Sequence, residues 1–444
     1  MTDPEKGKPD KFQWTAEEAQ KPERALVLVP EFDTQNERSR HARVEEARGL
    51  ANAISLEVID AGIVPIKQIR PATLFGSGKV DEITGIVKAG DIGLVIVDHA
   101  ISPKQQQNLE KEWNCKVLDR TGLILEIFGE RAQTKEGRLQ VELAHLNYQK
   151  GRLVRSWTHL ERQRGGLGFV GGPGETQIEA DRRMIQERIN RLERDLEKVR
   201  KTRQLHRSKR QKIPHPVVAL VGYTNAGKST LFNYLTDADV LAKDLLFATL
   251  DPTLRQLNLP EGTKVIFSDT VGFVSNLPTH LVAAFRATLE EVIEADLILH
   301  VRDISHEDTK AQADDVYEIL NQLGVEGDGR KGVVEVWNKI DLLSPEQLDG
   351  LSSREFDDSS PALVSALNGK GVAELLALIE DKIAGSDDVV EISLPVSDMG
   401  LLPSVYKNAH VIEREDLEDG SVRMLIRAGK EYRLSVSRFV SSGL

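Results

Sequence analysis

The sequence predicts an α/β protein with a small parallel α/β N-terminal domain, a basic helical hairpin, a doubly wound α/β domain and a small α+β C-terminal domain. Strand-like and helix-like patterns alternate along the first third of the chain, which is typical of a parallel sheet. Apolar residues then recur at alternating spacings of four and three, as in paired helices. A strand, a glycine-rich loop and a helix follow from residue 216, as at the start of many doubly wound domains.

Composition and residue patterns divide the 444 residues into five predicted segments. They also indicate whether the chain enters a membrane or an oxidising compartment. No run approaches the roughly eighteen apolar residues of a membrane span, and the polar start is unlike a signal peptide. The single Cys115 cannot form an internal disulfide, which fits a core position in a reducing cytoplasm. The predicted segments are a disordered tail over 1–22, an N-terminal α/β domain over 23–135, a basic helical hairpin with a Gly-rich loop over 136–213, a second α/β domain over 214–385 and an accessory domain over 386–444.

The N-terminal domain is predicted from apolar runs separated by amphipathic segments. The expected strands are 25–29, 56–60, 92–97 and one that begins near 117, and the expected helices are 37–54, 80–88 and 102–113. Gly76-Ser-Gly-Lys79 is similar to a phosphate loop, but Thr73 stands where the motif needs Gly and Val80 where it needs Ser or Thr. We interpret it as a turn and helix cap, and a contact with phosphate or RNA stays open.

Residues 150–212 are strongly basic, with 18 Lys and Arg against 8 Asp and Glu in a chain of net charge −12. An apolar seam over 185–199 predicts a helix that pairs with an earlier helix over 136–148, and Gly-rich residues 165–174 predict a flexible loop at the tip. The arginines are either a solvated helical face or contacts to RNA phosphates, and charge of one sign on a protruding hairpin favours RNA. The seam residues are Ile185, Ile189, Leu192, Leu196 and Val199, and the arginines are Arg182, Arg183, Arg188, Arg191, Arg194, Arg200 and Arg203.

The glycine loop after the strand at 216–221 matches G-x-x-x-x-G-K-[ST], which predicts a nucleotide phosphate site. Backbone N–H groups converge on phosphate oxygens there, and the helix N-terminus adds positive potential. Lys228 would reach the β- and γ-phosphates, and the Ser229 hydroxyl would bind Mg²⁺. The expected nucleotide contacts are Gly222, Tyr223, Thr224, Asn225, Ala226, Gly227, Lys228 and Ser229.

Three later motifs predict that the nucleotide carries guanine. A strand over 264–269 ends in an Asp that would hold Mg²⁺, followed by a Gly whose N–H would meet the γ-phosphate. The N-K-x-D motif places an Asp that accepts from guanine N1–H and its exocyclic amine, which adenine cannot match. The turn after 362–364 would donate backbone N–H to guanine O6. The motif residues are Asp269, Thr270, Val271, Gly272, Asn338, Lys339, Ile340, Asp341, Ser365, Ala366 and Leu367.

These four motifs resemble the translation-factor branch of P-loop GTPases, so 214–385 is expected to be a doubly wound P-loop GTPase domain with a core strand over 295–303 and a helix over 311–323. By the same resemblance, the first switch is expected in F-A-T-L-D-P. The residues assigned to it are Phe247, Ala248, Thr249, Leu250 and Asp251. Thr249 is the preferred Mg²⁺ ligand beside Ser229, and Thr253 is the alternative.

Catalysis is expected to rest on Lys228, Thr249 and Gly272 together with Mg²⁺. Phe273 stands where Ras-like enzymes place the Gln that orients water, so slow intrinsic hydrolysis and a partner that completes the site are predicted. Asn225 either helps to hold K⁺ or is a turn residue. His280 and His300 are expected to be structural.

Longer runs resemble the HflX family of ribosome-associated GTPases over about residues 25 to 380. They are residues 119–146, 162–166, 171–179 and 269–274. The resemblance implies GTP and GDP as ligands, and rRNA of the large (50S) ribosomal subunit near the peptidyl-transferase region as partner. It also implies a duty in splitting or remodelling ribosomes, rescue under stress or biogenesis. We expect a monomeric cytoplasmic protein, with peripheral membrane contact left open.

The accessory domain is expected to be a β-α-β-β unit, with strands over 389–394, 410–415 and 421–427 and a helix over 401–407. Three function classes stay open from the residues alone. They are a ribosome-dependent GTPase, a small-molecule or metal-linked GTPase with an incidental hairpin, and an RNA-binding scaffold in which nucleotide only sets conformation. The family resemblance favours the first.

Overall fold

The computed structural model describes residues 22–32, 38–163, 173–210, 215–236, 246–247, 250, 253–275, 277, 281, 289–325, 332–352, 360–384, 388–417, 419–428, 432 and 436–440. The chain forms two compact units. The first contains residues 1–202 with 244–247 and 277–284, and the second contains 203–243, 248–276 and 285–444.

The first unit is built on a four-stranded parallel sheet in the order β2-β1-β3-β4. All four residues of the inner strand β3 are buried, as in strands covered on both faces. The predicted small parallel α/β domain is therefore confirmed. Its strands are β1 (Arg24–Phe32), β2 (Glu57–Ile66), β3 (Leu94–Val97) and β4 (Lys116–Asp119), and its helices are α1 (Arg40–Asn52), α2 (Ser77–Gly90), α3 (Pro103–Trp113) and α4 (Arg120–Arg131).

The helices of this sheet begin at polar caps. The Ser39 hydroxyl accepts from the N–H of Ala42 at the start of α1. Ser102 and Gln105 form a reciprocal capping box at the start of α3, which satisfies two backbone donors. Gly76 is the N-cap of α2, so the predicted helix cap in the G-S-G-K sequence is confirmed.

Two parts of the first unit differ from the sequence prediction. β2 continues to Ile66 instead of ending at 60, because it pairs with β1 along the full length of that strand. The sequence predicts no helix over 120–131, yet these residues form α4. Eight of its twelve residues are buried, and its apolar run over 123–128 is interrupted only by Glu126, so the run alone does not distinguish a helix from a buried strand.

Two long helices, α5 (Lys135–Gln163) and α6 (Pro173–Arg210), follow α4. Ile189, Leu192 and Leu196 of the predicted seam are buried, which confirms the seam at its centre. The Arg188 guanidinium donates to Glu142 at 2.5 Å and ties the two helices together. α5 extends fifteen residues beyond the predicted end at 148. α6 begins within the predicted loop 165–174, of which residues 165–172 lie outside the described residues.

Asp119 connects α5 to the carboxyl edge of the sheet. Its carboxylate is buried and accepts from the N–H of Gly122, from the Tyr148 hydroxyl at 2.6 Å and from the Arg152 guanidinium at 2.6 Å. The Arg152 guanidinium also lies 4.5 Å from the centre of the Tyr148 ring. The first half of α5 is therefore anchored by a charge that ends β4 and caps α4.

The second unit contains a six-stranded sheet in the order β10-β9-β8-β5-β7-β6. All neighbouring strands are parallel except the edge strand β6, which is antiparallel to β7 and absent from the sequence prediction. The strands are β5 (Val217–Val221), β6 (Thr253–Asn258), β7 (Lys264–Asp269), β8 (Leu297–Asp303), β9 (Gly332–Asn338) and β10 (Ala362–Leu363), and the helices are α7 (Lys228–Thr236), α8 (Glu290–Ile293), α9 (Thr309–Gln322), α10 (Pro345–Ser352) and α11 (Val372–Ala384).

The same unit ends in a three-stranded antiparallel sheet in the order β11-β13-β12. Val422, Met424 and Ile426 of its central strand are buried with period two, which gives the sheet one apolar face. The predicted β-α-β-β unit is confirmed. Its elements are β11 (Asp388–Leu394), α12 (Leu402–Asn408), β12 (His410–Asp416) and β13 (Val422–Ala428).

Two further expectations can be compared with the structure. No helix among the described residues is both long and apolar enough to cross a lipid bilayer. Cys115 is partly buried against the core of the first unit, and burial raises the pKa of its thiol to about 11. A thiol that is protonated at neutral pH fits the expected role as a core filler.

Replacing Tyr148 by Phe removes one donor from the buried Asp119 carboxylate and leaves the ring in place. We expect the free energy of unfolding to fall by about 1–3 kcal/mol, since the deleted bond has a charged acceptor. Urea unfolding measures the decrease. Tyr234→Phe is the matched control because that side chain is 49% exposed. Equal decreases in the two variants would contradict the proposed anchor.

Candidate nucleotide site

The loop between β5 and α7 has a backbone that requires its glycines. Gly222 and Gly227 adopt φ angles of +150° and +90°. A Cβ atom would lie 2.1 Å from the Val301 carbonyl oxygen at Gly222 and 2.2 Å from the Asn338 amide nitrogen at Gly227. Asn225 also has a positive φ, which Asn tolerates better than most residues. The loop lies at the carboxyl ends of parallel strands, where ligands bind in open α/β sheets.

Lys228 lies inside this loop with its ammonium group directed at the loop's own carbonyls. The ammonium donates to the carbonyl of Gly222 at 3.0 Å and to that of Tyr223 at 2.7 Å. Burial lowers the pKa of Lys228 to about 8, and the nearby Asp269 carboxylate opposes this shift. A phosphate group would accept from the remaining ammonium proton and favour the charged form.

Ser229 and Asp269 meet at the first turn of α7. The Ser229 hydroxyl donates to the Asp269 carboxylate at 2.8 Å, which brings the residues of two predicted motifs together. The described residues include no group of three or more His, Cys, Asp or Glu able to hold a metal. One hydroxyl, one carboxylate and phosphate oxygens are nevertheless a donor set that suits Mg²⁺, so these residues fit the predicted ion.

Asn338 connects three of the predicted motifs. Its side chain is 1% exposed, donates to the Ala226 carbonyl at 2.9 Å and accepts from the Ala366 N–H at 2.9 Å. The phosphate loop, the N-K-x-D sequence and the 365–367 turn are therefore held together by one carboxamide. The adjacent Asp341 carboxylate accepts from the Ser365 hydroxyl at 2.5 Å, which orients the group expected to read guanine.

Asp303 is a residue of the candidate site that the sequence pattern did not identify. It ends β8 directly opposite Asn338 of β9, and its carboxylate lies 2.8 Å from the Lys339 ammonium. Lys339 has a φ of +66°, so the ion pair holds a residue in an uncommon backbone conformation. A carboxylate at a strand end beside the N-K-x-D strand is the sequence signal that could have identified it.

The start of the second switch is paired with the phosphate loop. The Phe273 N–H donates to the Gly222 carbonyl at 3.1 Å, and the Thr224 N–H donates to the Phe273 carbonyl at 2.7 Å. The Phe273 ring is buried, and the Tyr223 hydroxyl accepts from the Ser275 N–H. The side chain at the position of the missing Gln therefore packs inside the protein.

The first switch is only partly described. Ala248, Thr249 and Asp251 lie outside the described residues, as does His280. Leu250 is buried, and the Phe247 ring packs edge to face on Phe128 of the first unit, with ring centres 4.9 Å apart. Thr253, the alternative Mg²⁺ ligand, begins β6 opposite Asp269. Leu367 is 79% exposed at the turn that follows β10.

His300 lies in the core of β8, as expected for a structural histidine. It is fully buried, and its ring packs edge to face on the Tyr317 ring with centres 4.9 Å apart. Burial lowers its pKa to about 4. A buried ring that stays neutral is consistent with a structural role.

Comparison with known families matches four models along the chain. They are a GTP-binding GTPase N-terminal region over residues 41–129, a GTP-binding GTPase middle region over 131–210, a 50S ribosome-binding GTPase model over 217–339 and an HflX C-terminal domain over 352–442. The models thus account for most of the chain.

Similar proteins extend over nearly the whole chain. A Magnetococcus marinus protein named GTPase HflX is 48% identical over 400 residues, which cover 90% of this chain and 91% of that one. An Escherichia coli protein of the same name is 43% identical and covers 90% of this chain and 92% of its own. A GTP-binding protein from Sulfolobus solfataricus, crystallised with GDP, is 24% identical with a TM-score of 0.43 and covers 82% and 99% of the two chains.

The lowered pKa of Lys228 predicts that GDP binding takes up protons. Phosphates favour the charged ammonium, so binding at pH 8 should take up about half a proton per site, and at pH 7 about a tenth. Calorimetry in two buffers of different ionisation enthalpy measures this uptake. Lys228→Arg is the control, because a guanidinium stays charged and should show none. Proton uptake that is the same at pH 7 and pH 8 would contradict the assignment.

Proposed function

Because the chain belongs to the HflX family, whose members are GTPases, we propose that it couples GTP binding and hydrolysis to the large ribosomal subunit. The observation that carries the proposal is the joining of the phosphate loop, N-K-x-D and the 365–367 turn by Asn338. These hydrogen bonds bring the residues of the proposed guanine pocket together. The same chain also carries a basic helical hairpin. The family model over 217–339 describes a 50S ribosome-binding GTPase.

In the proposed complex, the residues of the loop hold the phosphates and those of the later motifs read the base. The Lys228 ammonium neutralises the β- and γ-phosphates, and the Gly272 N–H meets the γ-phosphate. The Asp341 carboxylate accepts from guanine N1–H and the exocyclic amine. The Ala366 N–H already donates to Asn338. Guanine O6 would therefore accept from another backbone N–H of the same turn.

Mg²⁺ is proposed to bind at Ser229 and a first-switch threonine, beside the Asp269 carboxylate that accepts from the Ser229 hydroxyl. When bound, the ion neutralises charge on the phosphate oxygens. Thr249 remains the preferred threonine by family resemblance, and Thr253 remains the alternative. A K⁺ ion at Asn225 is a weaker proposal, since the exposed side chain and positive φ of this residue also suit a plain turn.

Slow intrinsic turnover follows from the position of Phe273. Its ring is buried and carries no hydrogen-bonding atom, so it cannot orient the attacking water. We propose that a docked ribosomal particle completes the site and stimulates hydrolysis. Turnover of the isolated protein at the rate of a stimulated GTPase would contradict this.

The hairpin of α5 and α6 is proposed to be the RNA-binding surface. Arg182, Arg183, Arg191 and Arg194 are exposed on α6, whereas the seam side chains between them face inward. The remainder of the chain is acidic, so attraction to RNA must come from this segment. Splitting or remodelling of ribosomes under stress is the duty we propose, and it is drawn from the family resemblance.

Neutralising two hairpin charges tests the proposed RNA binding. For Arg191→Gln/Arg194→Gln we expect weaker co-sedimentation with large ribosomal subunits. The log–log slope of affinity against salt should become shallower by about one unit for each RNA phosphate that the variant no longer neutralises. Sedimentation in a non-hydrolysable GTP analogue at several salt concentrations measures both quantities.

The matched control removes the same charge from the N-terminal domain. Lys88→Gln/Lys111→Gln changes two exposed lysines on α2 and α3 and should leave the slope unchanged. Identical salt slopes for the hairpin variant and the wild-type protein would contradict an RNA-binding hairpin. Normal GDP affinity in both variants would show that the nucleotide pocket is intact.

A further inference from the structure

Thr224 lies inside the phosphate loop and carries a buried hydroxyl. The proposed contacts with phosphate, Mg²⁺ and guanine do not use this hydroxyl. The residue is 6% exposed, and its Oγ1 has no hydrogen-bond partner among the described residues. A buried hydroxyl without a partner is unfavourable, so its retention needs a reason. A ligand that arrives at the loop would supply the missing partner.

The Thr224 side chain lies beside Gly272 and Lys228, the two residues whose N–H and ammonium groups are proposed to contact the γ-phosphate. A Cβ atom placed on Gly272 would lie 2.9 Å from the Thr224 methyl carbon and 3.1 Å from the Lys228 ammonium nitrogen. Thr224 and Lys228 are therefore packed directly against Gly272. The bond from the Thr224 N–H to the Phe273 carbonyl fixes the backbone that positions the side chain.

The neighbouring hydroxyls are already engaged. Ser229 donates to Asp269 at 2.8 Å, and Thr270 donates to the Leu220 carbonyl at 2.6 Å. The Lys228 ammonium can donate but cannot accept. Of the three hydroxyls at Thr224, Ser229 and Thr270, that of Thr224 is the one still able both to donate and to accept.

We propose that the Thr224 hydroxyl is a catalytic group that replaces the missing Gln. It accepts a hydrogen bond from the attacking water and donates one to a γ-phosphoryl oxygen, the two functions that a carboxamide performs elsewhere. The water oxygen forms a bond to the γ-phosphorus while the bond to the β–γ bridging oxygen breaks, and that oxygen leaves with the electron pair on GDP. A water proton ends on the released phosphate, and Thr224 keeps its own proton.

This inference rests on the proposed position of GTP in the loop, so the experiment separates binding from hydrolysis. Single-turnover GTP hydrolysis and GDP affinity are measured for the wild-type protein, Thr224→Val and Thr224→Ser. Val keeps the shape and removes the hydroxyl, whereas Ser keeps the hydroxyl and removes the methyl group. We expect Thr224→Val to hydrolyse GTP about 10- to 100-fold more slowly, with GDP affinity within about twofold of wild type.

Formation of the GDP–aluminium fluoride complex gives a second readout. We expect this transition-state mimic to be abolished in Thr224→Val and kept in Thr224→Ser, whose hydrolysis should stay within about threefold of wild type. Wild-type hydrolysis by Thr224→Val would overturn the inference. So would a decrease in GDP affinity as large as the decrease in rate, because that indicates a structural role. A wild-type protein that binds no GDP would instead overturn the proposed pocket.

Discussion

The carboxamide of Asn338 is the side chain on which the proposed nucleotide pocket depends. It is buried, and its two hydrogen bonds join the backbone of Ala226 in the phosphate loop to the backbone of Ala366 in the last recognition turn. Gly227 allows this contact, since any side chain there would collide with the carboxamide. The residues proposed to bind phosphate and those proposed to recognise the base are thus joined by one pair of hydrogen bonds, which is why we expect these three motifs to act together.

The two units use the same edge of a parallel sheet for different purposes. In the second unit the carboxyl ends of the strands carry the phosphate loop, Asp269 and Asn338. In the first unit the corresponding edge carries Asp119, whose carboxylate holds Tyr148 and Arg152 of α5. In a parallel sheet, side chains at the carboxyl ends of neighbouring strands converge. This convergence accounts both for the candidate ligand site and for the anchor of the long helix α5. The basic hairpin then concentrates positive charge on an otherwise acidic chain.

The sequence was most informative where function restricts residue type. The loop glycines, the Ser229–Asp269 contact and the grouping of the later motifs follow from spacing at strand ends. The missed features have physical reasons. α4 contains a short apolar run that does not distinguish a helix from a buried strand, and β6 is an edge strand with mixed exposure. The Asp303–Lys339 ion pair depends on the order of strands in the sheet, which no local pattern contains.

The GDP affinity of Asn338→Asp tests the central claim most directly. The change keeps the shape of the side chain but replaces the donor that faces the Ala226 carbonyl by an oxygen. We expect the affinity to fall by at least about 100-fold with an unchanged circular dichroism spectrum, because a site built on paired buried groups tolerates no mismatch. Asn368→Asp, an exposed position in the neighbouring turn, should bind as the wild type does. An Asn338→Asp affinity within threefold of wild type would contradict the account.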